Sequence, residues 1–195
     1  LSYFIWGKFD EAAASGTKAI ELDPDNYIAY WTLGRIQFST GHFAEAVELF
    51  QRVIDIKPGF YTAYADLAQT YEGLGRIEEA KATSQRLLEM MPNYLLQNPD
   101  DARARMFFAH ALLKAGQKEK AIAESDAALE MSVGDSLMIY NGACLYARLG
   151  ETRKAIATLR EAVAAGVVNF SWMKHDPDLD PLRNDPEFLE LMKEQ

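Results

Sequence analysis

The chain has 195 residues, of which 49% are apolar and 25% charged, and a formal net charge of −9. That length supports a sizeable core, and the composition is that of a globular protein rather than a disordered or fibrous one. The acidic balance argues against nucleic acid, whose phosphates need a basic surface, and against attraction to an anionic membrane. No apolar run approaches the roughly eighteen residues of a spanning helix; the longest suspicious stretch is VVNFSWM at 167–173. The single Cys144 cannot close an internal disulfide, so a reducing compartment, the cytoplasm, is expected.

The chain opens on Leu1 rather than Met, and SYFIWGKF reads as a helix already under way, so a fragment of something longer is expected. Tyr3, Gly7, Phe9, Ala12, Ala19 and Pro24 then mark the end of that helix and a whole second one. ELDPDNYIAYWTLG, residues 21–34, reads as a helix end, a break and a new start, and DIKPGFYTAYADLA repeats that punctuation at 55–68. Pro24, Pro58 and Pro92 keep an even beat, as do Gly7, Gly41 and Gly75; after a seven-residue slip the beat resumes at Gly116 and Gly150. Five residues beyond each Gly stands Ala12, Ala46, Ala80, Ala121 or Ala155, and seven further on Ala19, Val53, Leu87, Ala128 or Ala162.

Each mark has a physical meaning. The Gly ends the first helix of a unit in a left-handed conformation that strains other residues. The Ala stands where two helices approach closely, and the Pro stops the second helix and sets the turn to the next unit. Between these marks apolar residues recur at helical steps, as in AYWTLGRIQF and AEAVELFQRVI. A helix–turn–helix hairpin of this kind cannot bury its apolar face alone, whereas stacked neighbours bury it together.

Further along, LLQNPDD at 95–101 carries the slip and reads as a longer interhelical loop, with Asn98, Asp100 or Asp101 capping the next helix. In the two units that follow, Val133 and Val167 stand where the closing Pro should be, so their helix ends are poorly defined. After residue 169 the repeat dissolves. Asp176–Pro177 and Asp185–Pro186 read as helix starts, with Asp as N-cap and Pro at the first helical position. Phe188, Leu191 and Met192 share one face, as a cap over the last exposed apolar surface requires.

This pattern resembles the tetratricopeptide repeat, whose unit of about 34 residues runs aromatic, Leu–Gly, Tyr, Gly turn, Ala, bulky apolar, Pro. Residues 27–60 match through Tyr30, Leu33, Gly34, Gly41, Phe43, Ala46, Phe50 and Pro58, and residues 61–94 through Tyr64, Leu67, Ala68, Tyr71, Gly75, Ala80 and Pro92. The weaker copies keep Gly116, Ala121 and Ala128, then Tyr146, Gly150, Ala155 and Ala162. The resemblance implies an all-α, right-handed solenoid of antiparallel helix pairs. Its expected parts are a partial repeat at 1–26, repeats at 27–60 and 61–94, the loop at 95–101, repeats at 102–135 and 136–169, and a cap at 170–195. The ending DPDLDPLRNDPEF is also similar to the C-terminal repeat regions of bacterial multidomain signalling proteins.

The same resemblance implies protein–protein recognition, with positions 2, 5, 9 and 12 of each first helix lining a concave groove because they share one helical face. On that basis the candidate groove residues are Trp31, Arg35, Phe38, Gln69, Arg103, Met106, His110, Lys114, Tyr140 and Arg148. They mix aromatics with cations in an acidic chain, which suits a peptide segment with apolar anchors and acidic flanks; Trp, Tyr and Arg are enriched among interface hot spots. A chaperone-type carboxylate clamp is not expected: of Trp31, Arg35, Asp66, Arg103 and Phe107 at its positions, only Arg103 could serve. The alternative is a self-association module, with Phe4 and Ile5 at a truncated N-terminal edge as the adhesive surface.

Nothing in the sequence composes an enzyme site. His42, His110 and His175 have no ligand spacing, and Cys144 is a nucleophile only with a base beside it. Asp176, Asp178, Asp180 and Glu187 imitate a calcium loop, but Pro181 stands where its Gly is needed. Asn169–Phe170–Ser171 is a formal glycosylation sequon with no other sign of secretion, and there is neither a P-loop nor a GxGxxG. No cofactor, metal, nucleic-acid partner or membrane insertion is expected.

Overall fold

The computed structural model describes residues 9–167 and 170–193, and among these every regular element is helical. Tyr3, Phe4, Ile5, Gly7 and Asn169, and with them the expected adhesive edge and the sequon, lie outside the described residues. The helices are α1 (Phe9–Leu22), α2 (Tyr27–Ser39), α3 (Phe43–Ile56), α4 (Tyr61–Gly73), α5 (Ile77–Gln97), α6 (Ala102–Lys114), α7 (Lys118–Met131), α8 (Ser136–Arg148) and α9 (Thr152–Ala164). A short α10 (Phe170–Met173), a 3-10 helix at Pro177–Leu182 and α11 (Pro186–Leu191) follow. Consecutive helices pair through short turns, α2 with α3, α6 with α7 and α8 with α9, as in an α-solenoid of helix pairs.

The turns are built as their residues dictate. Gly41, Gly75, Gly116 and Gly150 all adopt positive φ, between +71° and +81°, closing each hairpin where a side chain would be strained. Asn26, Asp101 and Asp135 cap α2, α6 and α8, each side chain accepting from a backbone N–H in the first turn at 2.9–3.1 Å. The repeated Ala is buried in all five copies, Ala12, Ala46, Ala80, Ala121 and Ala155.

Two expectations need correction. Val133 and Val167 do not leave the helix ends undefined: Gly134 (φ +81°) and Gly166 (φ +113°) turn the chain there instead of Pro. Pro92 does not stop its helix, and 95–101 is not wholly loop, because α5 runs on to Gln97. A Pro inside a helix costs about 3 kcal/mol through the lost hydrogen bond and a clash with the preceding turn. Here Leu87, Met91 and Leu95, one turn apart on one face, are all buried, and that continuous apolar stripe carries the helix through. The loop shrinks to residues 98–101, where Arg105 donates from Nη2 and Nε to the Pro99 carbonyl at 3.1 and 3.3 Å.

The chain divides into two compact bodies, residues up to Tyr94 and residues from Leu95. The N-terminal body is cored by Trp31, Val47, Phe50, Val53, Leu67 and Tyr71, with Gly34 letting α2 approach the Phe50 ring. The C-terminal body is cored by Tyr140, Tyr146, Ile156 and Leu159 from α8 and α9, joined by Met173, Leu179, Leu182 and Phe188 from the ending. The ending is therefore an integral layer of that body: Asp176 and Asp185 cap its last two helices, and Arg183 donates to the Asp176 and Met173 carbonyls at 2.9 and 3.3 Å.

Candidate functional site

In the N-terminal body the candidate residues sit on α2 and α4. Trp31 is only 9% exposed; its Nε1 donates to Asp66 Oδ2 at 2.7 Å and its ring meets Phe60 edge-on at 5.6 Å. Arg35 lies over the same indole, its guanidinium carbon 5.2 Å from the ring centroid, close enough for a cation–π contact. Burial pushes the Asp66 carboxyl above its usual range, while the Trp31 hydrogen bond and the Arg35 charge pull it back. Phe38 is half-buried against Phe43 at 5.4 Å, and Gln69 is exposed on α4.

In the C-terminal body the candidates divide in the same way. Met106 is buried against Ala128 and Met138, and Tyr140 is 2% exposed, so both serve packing. Arg103, Lys114 and Arg148 are exposed, and His110 is half-buried, within reach of the charges of Arg148 and Lys114. Burial, then the charges of Arg148 and Lys114, lowers the His110 pKa to about 4, leaving a neutral imidazole near pH 7.

What sequence reasoning missed is the carboxylate facing each aromatic. Tyr140 Oη donates to Asp176 Oδ2 at 2.6 Å, and Asp176 Oδ1 accepts from the Asp178 N–H at 2.9 Å. Arg148 Nε lies 3.6 Å from Asp178 Oδ1, both side chains about one-third exposed at 33% and 39%. Asp176 and Asp178 are thus more than helix caps: they cover position 5 of the fifth repeat and engage the cation at the end of its first helix. The signal was available in the spacing, since Trp31 reaches 35 residues ahead to Asp66 and Tyr140 reaches 36 ahead to Asp176. Each aromatic looks one repeat forward to an acid, and the ending supplies the acid that a sixth repeat would have carried.

The thiol and the phenol of the cluster are both held in their protonated forms. The Cys144 thiol lies 4.0 Å from Asp176 Oδ2, and burial and that carboxylate push its pKa up to about 12, the opposite of an activated nucleophile. Tyr140 is likewise raised by burial and its bond to Asp176, so its hydroxyl stays a donor. Among the described residues no group of three His, Cys, Asp or Glu is arranged to hold a metal ion. No helix among them is long and apolar enough to cross a membrane.

Comparisons with known proteins agree with this architecture. Tetratricopeptide repeat families match residues 7–59, 38–96 and 138–165. A stretch of 59 residues is 36% identical to a chloroplastic protein of Arabidopsis thaliana, covering 30% of this chain and 18% of that protein. Among solved structures, TTC0263, a thermophilic TPR protein of Thermus thermophilus, superposes with a TM-score of 0.71 at 21% identity, over 89% of this chain and 91% of its own. MamA of Desulfovibrio magneticus RS-1 gives 0.52 at 15% identity, over 84% and 89%. At those identities the likeness concerns the fold. The repeat spacing, the helix pairs and the matched segments together identify the chain as a member of the tetratricopeptide-repeat family.

Proposed function

We propose that the chain is a protein-recognition scaffold that binds a peptide segment with apolar anchors and acidic flanks on the inner positions of its first helices. The observation carrying this reading is the sorting of charge. In a chain of net charge −9, the exposed inner positions of α6 and the last turns of α6 and α8 carry Arg103, Lys114 and Arg148. Such a face draws an acidic segment toward a protein that otherwise repels it, raising the association rate more than the contact area alone would. The buried members of that body, Met106 and Tyr140, hold the face in shape. Within the same C-terminal body, half-buried His110 and exposed Leu137 offer surface for the anchors.

A random-peptide display library panned against the full chain tests this. The expected outcome is enrichment of Asp and Glu beside an apolar residue, with the enriched peptide bound roughly tenfold more weakly by Arg103→Glu at low salt and the difference shrinking as salt rises. Enriched peptides without acidic bias, or equal binding by Arg103→Glu, would move recognition off this face.

A further inference from the structure

We propose that the turn joining α7 to α8 is a docking surface for an amphipathic segment of another protein, one that carries Lys or Arg beside large apolar side chains. This surface goes beyond the inner face described above and shares only Leu137 with it.

Residues 130–137 read EMSVGDSL. The Ser132 and Asp135 N–H groups donate to the Leu129 and Ser132 carbonyls, both at 3.0 Å. Asp135 Oδ1 accepts from the Leu137 and Met138 N–H groups at 3.1 and 3.0 Å, capping α8. The turn is therefore a braced support. On it Met131, Val133 and Leu137 are 45%, 91% and 66% exposed. Exposed apolar residues scattered singly are ordinary, but three gathered on one capped turn form a patch of the kind that marks an interaction site.

The other junctions show that the turn itself does not need this apolar surface. The residue three before the next helix is Pro24 ahead of α2, Pro58 ahead of α4 and Pro99 ahead of α6. It is Val133 ahead of α8 and Val167 ahead of α10. Gly134, at φ +81°, already turns the chain, so Val133 is not there to stop a helix. Val167 packs against the core of the C-terminal body together with Phe170 of α10. The valine at this step is thus covered where apolar residues of the ending join it, and bare ahead of α8.

Charge selects the kind of cover. The only charged residues of 130–137 are Glu130 and Asp135, both exposed. A segment that lays apolar side chains on Met131 and Val133 brings its flanks beside these two carboxylates, which favour Lys or Arg and oppose Asp or Glu. A second copy of this chain, itself at −9, suits the place poorly.

The probe is a synthetic peptide with leucines on one helical face and lysines on the other, titrated into the isotope-labelled full chain and followed by backbone amide NMR shifts. The shifts should concentrate on residues 130–137. Met131→Ser combined with Val133→Ser should weaken binding roughly tenfold, through lost apolar cover, and leave thermal unfolding unchanged because both side chains are exposed. Arg103→Glu, which tests the inner face, should not weaken it, so the two readings fail separately. A peptide with glutamates in place of the lysines should bind less tightly at low salt, and the difference should close as salt rises. Shifts spread over the surface away from this turn, undiminished binding by the double variant, or equal binding of the two peptides would overturn the proposal. A mass that rises with concentration in the wild type and not in the double variant would overturn it in favour of a second copy.

Discussion

A Cβ on Gly34 would stand 2.6 Å from Cε1 of Phe50, a ring with no exposed surface. Real Cβ atoms do not approach so closely, so Gly34→Ala must push α2 and α3 apart or drive Phe50 off its rotamer, and it should cost about 1–3 kcal/mol in urea unfolding. Gly73→Ala is the internal comparison: its Cβ would meet Phe43 at an ordinary 3.4 Å, and the gain in helix propensity should leave it neutral or slightly stabilising. Equal losses at the two sites would mean that the close approach at Gly34 is not what demands glycine. At His110 the argument is electrostatic. Its pKa is lowered from 6.5 to about 4, so between those values the unfolded chain takes up a proton that the folded chain refuses. Stability present above about pH 6.5 is therefore lost as pH falls toward about 4, by about 3 kcal/mol for a shift of this size. The raised carboxyls of Asp66 and Asp178 act oppositely, since the folded chain holds their protons to higher pH, but they are shared with any His110 variant. Urea unfolding across that window should show a flatter profile for His110→Gln than for the wild type; parallel profiles would place the acid sensitivity elsewhere.

At the level of helices, what could be read from sequence was whatever is fixed by local steric need. A left-handed turn demands Gly, and Gly41, Gly75, Gly116 and Gly150 were legible because little else fits. A helix crossing demands a small side chain, and the Ala series was legible for the same reason. Pro92 was misread because its effect is a balance. The local penalty favours a stop, whereas burial of Leu87, Met91 and Leu95 favours continuation, and only the packed structure decides between them. Gly134 and Gly166 were overlooked because Pro was sought at the equivalent points, although the turn needs only a residue that cannot continue the helix. The ties between neighbouring hairpins also emerged only in three dimensions. Tyr71 accepts from Gln51 Nε2 at 2.8 Å, and Tyr146 donates to Asp126, each pair twenty residues apart. Lys154 then bridges both oxygens of Asp126 at 2.6 and 2.7 Å while lying over the Tyr146 ring. The partner residues differ, Gln in one hairpin and Asp in the other, so a consensus of residue types hides a tie that depends on place.

For the molecule as a whole, position along the repeat told where the candidate residues stand but not what covers them. Arg103, Lys114 and Arg148 kept the exposure that their positions implied, whereas Trp31 and Tyr140 were claimed by Asp66 and Asp176, acids one repeat ahead. The fate of position 5 thus depends on the following element, and for the last repeat that element is the ending. Its Leu179, Leu182 and Phe188 are almost wholly buried with Tyr140, Cys144 and Leu159, so the ending completes the C-terminal body as a further repeat would. Burying an aliphatic or aromatic side chain of this size contributes about 1.5–3 kcal/mol, and several are involved, a sum comparable to the whole stability of an ordinary domain. Deleting residues 168–195 should therefore do more than fray an end. Amide exchange should accelerate throughout α8 and α9, approaching that of an unfolded chain near Tyr140 and Leu159. The cluster of Trp31, Phe50 and Leu67 is a separate core, so α2, α3 and α4 should keep most of their protection. Unchanged protection in α8 would show that the ending lies on a body stable without it, while equal loss in α2 to α4 would show that the two cores unfold as one.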